Sequence, residues 1–222
     1  MNILGIDTST AASAACVLRA DGQAFEVEPP AAALEQGPGH SRQLMIAVAR
    51  CLEEAGLGYP DLDVVAVGAG PGAFTGLRIG VATARGLAWA HGAELRAVSS
   101  LAALALCIEA PVALPLIDAR RGEVFAALYE DGRQAMEPFV AAPEAVAARV
   151  GATQKSPLAA GDGSVRFREV LETAGIRVAP PGSRTHVVRG LSVCRLAATV
   201  GATPPEFALP DYLRLPDAKP LL

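Results

Sequence analysis

Three short apolar runs joined by turn signals open the chain, and a matching trio begins after Pro111. The first trio is "NILGID" ending at Asp7, "SAACVLR" ending at Arg19, and "GQAFEVE" after the Asp21-Gly22 turn. The second is "VALPLIDA", then "EVFAALYE" after the turn at Arg120 to Gly122, then "QAMEPFV" after the turn at Asp131-Gly132. Strands joined by tight turns pair antiparallel, so each trio predicts a meander. Asp7 closes the first strand of one and Asp118 the first strand of the other. The chain therefore reads as an internal structural repeat without close sequence identity.

Between the meanders the period changes. Leu44, Val48, Cys51, Leu52 and Ala55 share one helical face within Pro38 to Gly56, with Ser41 the expected cap and Gly56 the stop. The continuous apolar run "LDVVAVGA" predicts a buried strand. Thr75 is expected to cap a helix that runs to about His91 and stops at Gly92, and "AELRAVS" gives a further strand. Strand-strand-strand-helix-strand-helix-strand is the order of an α/β lobe with a mixed sheet. A short helix is expected from Ser99 to Glu109. Others fall near Pro143 to Val150, Val165 to Ala174 and Val187 to Val200, ahead of a proline-rich tail, "PPEFALPDYLRLPDAKPLL", expected as an irregular surface end.

Composition narrows the function classes. Hydrophobic residues make up 51% of the 222 and charged residues 19%, which suits a globular chain able to bury a core. A net charge of -4 argues against a phosphate-neutralising surface for nucleic acid. Cys16, Cys51, Cys107 and Cys194 form no Cys-x-x-Cys pair, and so read as buried thiols of a reducing cytosol. The N-terminus lacks the basic region of a signal peptide, and the longest apolar stretch is broken by Glu109, Pro111 and Pro115, so neither export nor a membrane span is expected.

The stretch "GAGPGAFTGLRIG", Gly68 to Gly80, resembles a nucleotide loop. As a dinucleotide fingerprint it lacks an acid at the end of the following strand, and Pro71 removes a backbone donor. As a phosphate loop it lacks the lysine. The glycines are better read as backbone freedom for a sharp strand-to-helix turn. Gly76, Gly80, Ala84 and Ala88 lie four apart, a small-residue ridge that lets another helix approach, either the one near Ser41 or one from a partner. Phe74 and Ile79 beside it point to a partner surface.

Other candidates are plainer. Asp7 in "GIDTST" either holds a metal-bound phosphate or makes an Asx-turn, the turn being favoured. His40 reads as a surface histidine, His91 as a helix C-terminal residue suited to the dipole, and Arg120 and Arg121 as a solvated tip. No serine sits in a Gly-x-Ser-x-Gly elbow, and nothing pairs a nucleophile with a histidine and an acid.

"ILGIDTST", "GHSRQL", "VGAGPGAFTGLRIGVATARGLA", "VSSLAALA", "IDARRGEVF" and "PDYLR" occur in order over essentially the whole chain and resemble the bacterial TsaB family, also called YeaZ. The resemblance implies an actin-like, Hsp70-like ATPase fold of two ribonuclease-H-like lobes. Residues 1–100 would form the first lobe, joined by the tail 203–222, and residues 101–202 the second. It implies a non-catalytic subunit that pairs with TsaD and works with TsaE in threonylcarbamoyl transfer to the adenosine next to the tRNA anticodon, with TsaC supplying threonylcarbamoyl-adenylate. Contact with tRNA would be indirect, through the complex, and the chain alone could form a homodimer. TsaD carries two metal-binding histidines four apart, and the matching positions here are Ser100 and Leu104, so no metal is expected. No cofactor is required of this chain, ATP belongs to the complex, and Asp7 is at most a weak nucleotide contact.

Carried onto this sequence, the partner interface comprises the helices Ser41 to Ala55 and Thr75 to Ala90 with the glycine loop at the rim. The residues are His40, Ser41, Met45, Gly70, Pro71, Gly72, Phe74, Thr75, Gly76, Arg78, Ile79, Gly80 and Thr83. A bulky residue at Gly80 is then expected to abolish pairing while leaving the monomer folded. The rival readings are a peptidase of the glycoprotease-like family and a free-standing actin-fold kinase.

Overall fold

The structure, a computed structural model, describes residues 1–34 and 39–213. The expected helix start at Pro38 and residues 214–222 of the tail, with Arg214 of the "PDYLR" motif, lie outside the described residues.

Strands β1 (Ile3–Asp7), β2 (Ala14–Leu18) and β3 (Ala24–Val27) form the expected antiparallel meander, Gly5 opposite Cys16 and Cys16 opposite Glu26. β4 (Val64–Gly70) lies parallel to β1, and β5 (Glu94–Ser99) parallel to β4. Parallel neighbours need crossovers, and α1 (His40–Ala55) and α2 (Phe74–His91) supply them. The sheet order is β3-β2-β1-β4-β5.

The second half repeats this plan. β6 (Val112–Arg120), β7 (Glu123–Glu130) and β8 (Arg133–Ala141) form the second meander, and β9 (Leu158–Ala160) and β10 (Arg177–Val178) extend it in parallel. The order β8-β7-β6-β9-β10 matches the first sheet strand for strand. β9 and β10 escape the sequence reading because two or three residues are too few to display a period.

Five layers result. Leu44, Val48 and Cys51 of α1 and Val81, Ala84 and Ala88 of α2 cover the outer face of the first sheet. α4 (Pro143–Gly151) and α6 (Arg168–Thr173) cover the outer face of the second through Val146, Val150 and Leu171. Between the sheets lie α3 (Ser100–Ala105) and α7 (Gly190–Ala197), whose Leu101, Leu104, Val193 and Cys194 share one core with Ile3, Val64, Ile117 and Phe125.

The two central helices cross over between the halves. α3 leaves the first sheet to pack on β6 and β7, and α7, although it falls within 101–202, packs on β1 and β2. Its backbone comes so close that a Cβ on Gly5 would stand 2.7 Å from the Gly190 carbonyl. No side chain at either position fits that approach. α7 is also shorter than the helix expected from Val187, since Arg189 is extended (φ -100, ψ 140). The single helix expected over Val165 to Ala174 is two, α5 (Asp162–Arg166) and α6, divided at Phe167 (φ -111, ψ 26).

The tail is tied to the first sheet. Thr203 N–H donates to the Leu95 carbonyl (2.7 Å), Asp211 N–H to the Ala69 carbonyl (2.7 Å), and Ala208 is fully buried in the outer core.

Candidate functional site

β1 ends at Asp7, and its carboxylate is enclosed. Asp7 Oδ1 accepts from Ser9 N–H (2.8 Å) and Ser9 Oγ (2.6 Å), and Oδ2 accepts from Ser100 Oγ (2.8 Å). The bond two residues on is the expected Asx-turn. Burial pushes the Asp7 carboxyl above the ordinary range, opposed by these three hydrogen bonds. Ser100 therefore binds the acid. Leu104 is fully buried in the central core, where a hydrocarbon side chain offers a metal nothing. The residues do not fit a metal at this position, and no group of three His, Cys, Asp or Glu among the described residues could hold one elsewhere.

The glycine stretch packs against the segment that follows Asp7. A Cβ on Gly68 would lie 1.8 Å from Asp7 Oδ2, and one on Gly72 would lie 2.5 Å from the Ser9 carbonyl oxygen. Ala73 N–H donates to that carbonyl (2.7 Å), and Ala73, extended at φ -62 and ψ 123, is the N-cap of α2. Thr75 is thus inside the first turn and does not cap. Similarly α1 is capped by Gly39, with Ser41 exposed inside the helix.

The small-residue ridge faces inward. Thr8 Oγ1 donates to the Gly76 carbonyl (2.7 Å), and a Cβ on Gly76 would stand 2.0 Å from the Thr8 carbonyl oxygen. One on Gly80 would stand 2.3 Å from Thr8 Oγ1. The ridge seats α2 on the β1–β2 connection of its own lobe. The expectation that a bulky residue at Gly80 spares the monomer is therefore corrected: it would collide inside the fold.

His40 is also corrected. It is 4% exposed, with Nδ1 2.8 Å from Ser13 Oγ and the ring bonded to the Thr10 backbone; burial lowers its pKa. This serine–histidine contact was invisible in the sequence, since the two residues stand 27 apart. Ser13 is itself 6% exposed and no carboxylate among the described residues orients the ring, so the pair ties α1 to the β1–β2 connection.

Of the residues expected at the partner interface, His40, Gly70, Pro71, Gly76 and Gly80 are interior. Ser41, Met45, Phe74, Thr75 and Arg78 are exposed, and Gly72, Ile79 and Thr83 are half-buried. Two further exposed apolar residues lie on the same helices. Ile46 of α1 is 63% exposed and Trp89 of α2 is 88% exposed, beside Met45 at 41% and Phe74 at 47%. Phe74, Arg78, Ala82, Gly86 and Trp89 follow one another along a single exposed stripe of α2. The signal available in sequence was the helical spacing from Phe74 to the chain's lone tryptophan. Tyr212 joins the rim from the tail: its ring lies 5.3 Å from Phe74, and its hydroxyl accepts from Arg78 Nε (3.0 Å). Arg42, Arg50, Arg78 and Arg85 are exposed on the same two helices, against Glu53 and Glu54, so α1 and α2 carry net positive charge on an acidic chain.

In the second lobe, Asp118 occupies the place of Asp7. It accepts from Arg166 Nη1 (2.7 Å) and pairs with Arg120 Nη1 (3.3 Å), while its N–H donates to Asp162 Oδ1 (2.9 Å). Arg120 is therefore both a turn-tip residue and an anchor for Asp118. Asp162, which the sequence did not single out, has its pKa pushed up to about 6 by burial. His91 is exposed at the α2 terminus, as expected, and stacks on Tyr59 at 5.2 Å.

A duplicated sheet order, crossed central helices and an acid at or near the end of each first strand define an actin-like protein of two ribonuclease-H-like halves. Known proteins agree. A solved structure of the ethanolamine utilization protein EutJ from Carboxydothermus hydrogenoformans shares the fold at TM-score 0.50 and 15% identity, over 90% of each chain. A Pseudomonas aeruginosa structure, described as an uncharacterized protein with similarity to peptidase YEAZ, superposes at TM-score 0.78 with 33% identity, covering 96% of this chain and 99% of that one. The family model for TsaD, tRNA N6-adenosine threonylcarbamoyltransferase, matches residues 32–218. The Bacillus subtilis tRNA threonylcarbamoyladenosine biosynthesis protein TsaB is 31% identical over 99% of this chain and 96% of its own length. An uncharacterized Mycobacterium leprae protein is 33% identical over 99% of this chain, which spans 56% of that relative. The chain belongs to the TsaB (YeaZ) family.

Proposed function

We propose that this chain acts in tRNA threonylcarbamoyladenosine biosynthesis as a non-catalytic subunit that pairs with TsaD through the outer face of α1 and α2. The carrying observation is the exposure of Met45 and Ile46 on α1 and of Phe74 and Trp89 on α2, with exposed arginines on the same two helices. Large apolar side chains left in water on neighbouring helices mark a surface that another protein covers. Those arginines ask for acidic residues on the partner. A non-catalytic role is supported by Asp7, whose oxygens are occupied by Ser9 and Ser100, and by Leu104 at a ligand position. On this reading the chain needs no cofactor, nucleotide and TsaE act elsewhere in the complex, tRNA is met indirectly, and the setting is the cytoplasm. Among the described residues no helix is long and apolar enough to cross a membrane. The same face would support a homodimer when TsaD is absent.

The test is threonylcarbamoyl transfer to unmodified tRNA by the matching TsaD and TsaE, fed with TsaC product, with and without this chain. Product that depends on the chain, and is lost with Ile46→Asp and Trp89→Asp at unchanged circular dichroism, is expected. Equal product without the chain would overturn the reading.

A further inference from the structure

Arg184, Arg189 and Arg195 fall in the stretch that leads from the second lobe back to the first, where a surface helix would need no such run of cations. Folding gathers them. They line one side of a cleft of about 320 Å3 between the C-terminal end of α3, a 3-10 turn (Arg184–His186) and the start of α7. Thr185, Ser192 and Cys107 line it too. The cleft lies in the central layer, apart from the α1–α2 face, and nothing in the proposed pairing uses it.

Two of the three guanidinium groups are held in place. Arg189 Nε donates to Glu26 Oε2 (3.0 Å), and its Nη2 bonds both Glu26 and Glu28 of the β3 edge; Arg184 pairs with Glu28. These carboxylates do not line the cleft. They neutralise two guanidinium groups and fix their orientation, leaving Arg189 Nη1 with no protein partner among the described residues. Arg195 has no ion pair among the described residues. At the wall, Ser192 Oγ and Cys107 Sγ are 3.4 Å apart, and Cys107 donates to the Ala103 carbonyl (3.3 Å). Leu106 and Leu191 give the lining an apolar part, and Glu109 is its one acid.

We propose that this cleft binds a small phosphate monoester. Fixed guanidinium N–H groups and two hydroxyls suit the several acceptor oxygens of a phosphate, and the leucines suit a short carbon moiety. The volume fits a small molecule and is too confined for a polynucleotide backbone. Glu26, Glu28 and Glu109 balance the three arginines, so recognition rests on directed hydrogen bonds more than on net field. Chloride at equal ionic strength is therefore a poor competitor.

The experiment is calorimetric titration of the full chain with inorganic phosphate and with glycerol 3-phosphate, ionic strength held constant with sodium chloride. Saturable binding is expected, weakened about tenfold or more by Arg195→Ala, the loss of one charge-assisted contact. Arg177→Ala, outside the cleft, should bind as wild type. No saturable heat, equal affinity in Arg195→Ala, an equal loss in Arg177→Ala, or heat with unmodified tRNA alone would each overturn the proposal. If Arg195→Ala fails to fold, amide shifts of the wild-type chain on adding phosphate decide it. Shifts confined to Cys107, Thr185, Ser192 and their neighbours support the site, and shifts elsewhere or none overturn it.

Discussion

Adding a single methyl group to one glycine of α2 tests the seat of that helix. In Gly76→Ala the new Cβ begins 2.0 Å from the Thr8 carbonyl oxygen. Ordinary carbon–oxygen contact needs more than an ångström beyond that, and the obstacle is backbone. α2 or the β1–β2 connection must move, at a cost of about 1–3 kcal/mol for overpacking. The move breaks the hydrogen bond from Thr8 Oγ1 to the Gly76 carbonyl, both buried, which costs about 1–3 kcal/mol more. Alanine returns about 1 kcal/mol through helix propensity. The balance is a destabilisation of about 3 kcal/mol. With a urea m-value near 3 kcal/mol/M, the midpoint falls by about 1 M. Gly86 of the same helix has nothing within 4 Å of its Cβ position, so Gly86→Ala isolates the propensity term and should raise stability by about 1 kcal/mol. Urea unfolding of the two variants beside wild type gives both numbers. A Gly76→Ala protein as stable as Gly86→Ala would refute the close approach of α2 to Thr8.

Three further expectations concern buried titratable groups. Asp162 has a folded pKa of about 6 against 3.8 unperturbed, so its contribution is fully present below pH 4 and fades as pH rises through 6. Relative to wild type, Asp162→Asn should therefore gain stability between pH 4 and 7, on the order of 2 kcal/mol by chemical denaturation; no relative gain contradicts the assignment. His40 behaves in the opposite sense: burial favours the neutral ring, so stability is lost as pH falls below 6.5, and its imidazole should titrate below that value by NMR. A midpoint at or above 6.5 would contradict burial. Burial raises the Cys51 thiol to about 11 and pushes the Cys107 thiol up as well, while Cys16 is raised first by its contact with Cys194 and then by burial. Native protein at pH 8 should thus react with a disulfide reagent far more slowly than urea-unfolded protein, and fast native labelling would refute this.

The strand meanders, the two crossover helices and the internal repeat were legible because each rests on local rules: turn residues at Asp21-Gly22 and Asp131-Gly132, an apolar face from Leu44 to Ala55, a glycine stop at Gly56. Asp7 as a turn-forming acid was likewise local, since its partner Ser9 is two residues away. Tertiary structure decided what lies opposite each residue, and that depends on contacts between segments distant in sequence. The glycine ridge looked equally suited to a neighbouring helix or a partner, until Thr8, 68 residues before Gly76, was found to fill it. The same neighbourhood buries His40 against Ser13, and it leaves Trp89 and Ile46 facing solvent. α7 returned to the first sheet, and Glu26 and Glu28 aligned Arg184 and Arg189, which precede it. Periodicity tells a helix which face is apolar. It does not tell the helix which sheet, or which chain, that face will meet.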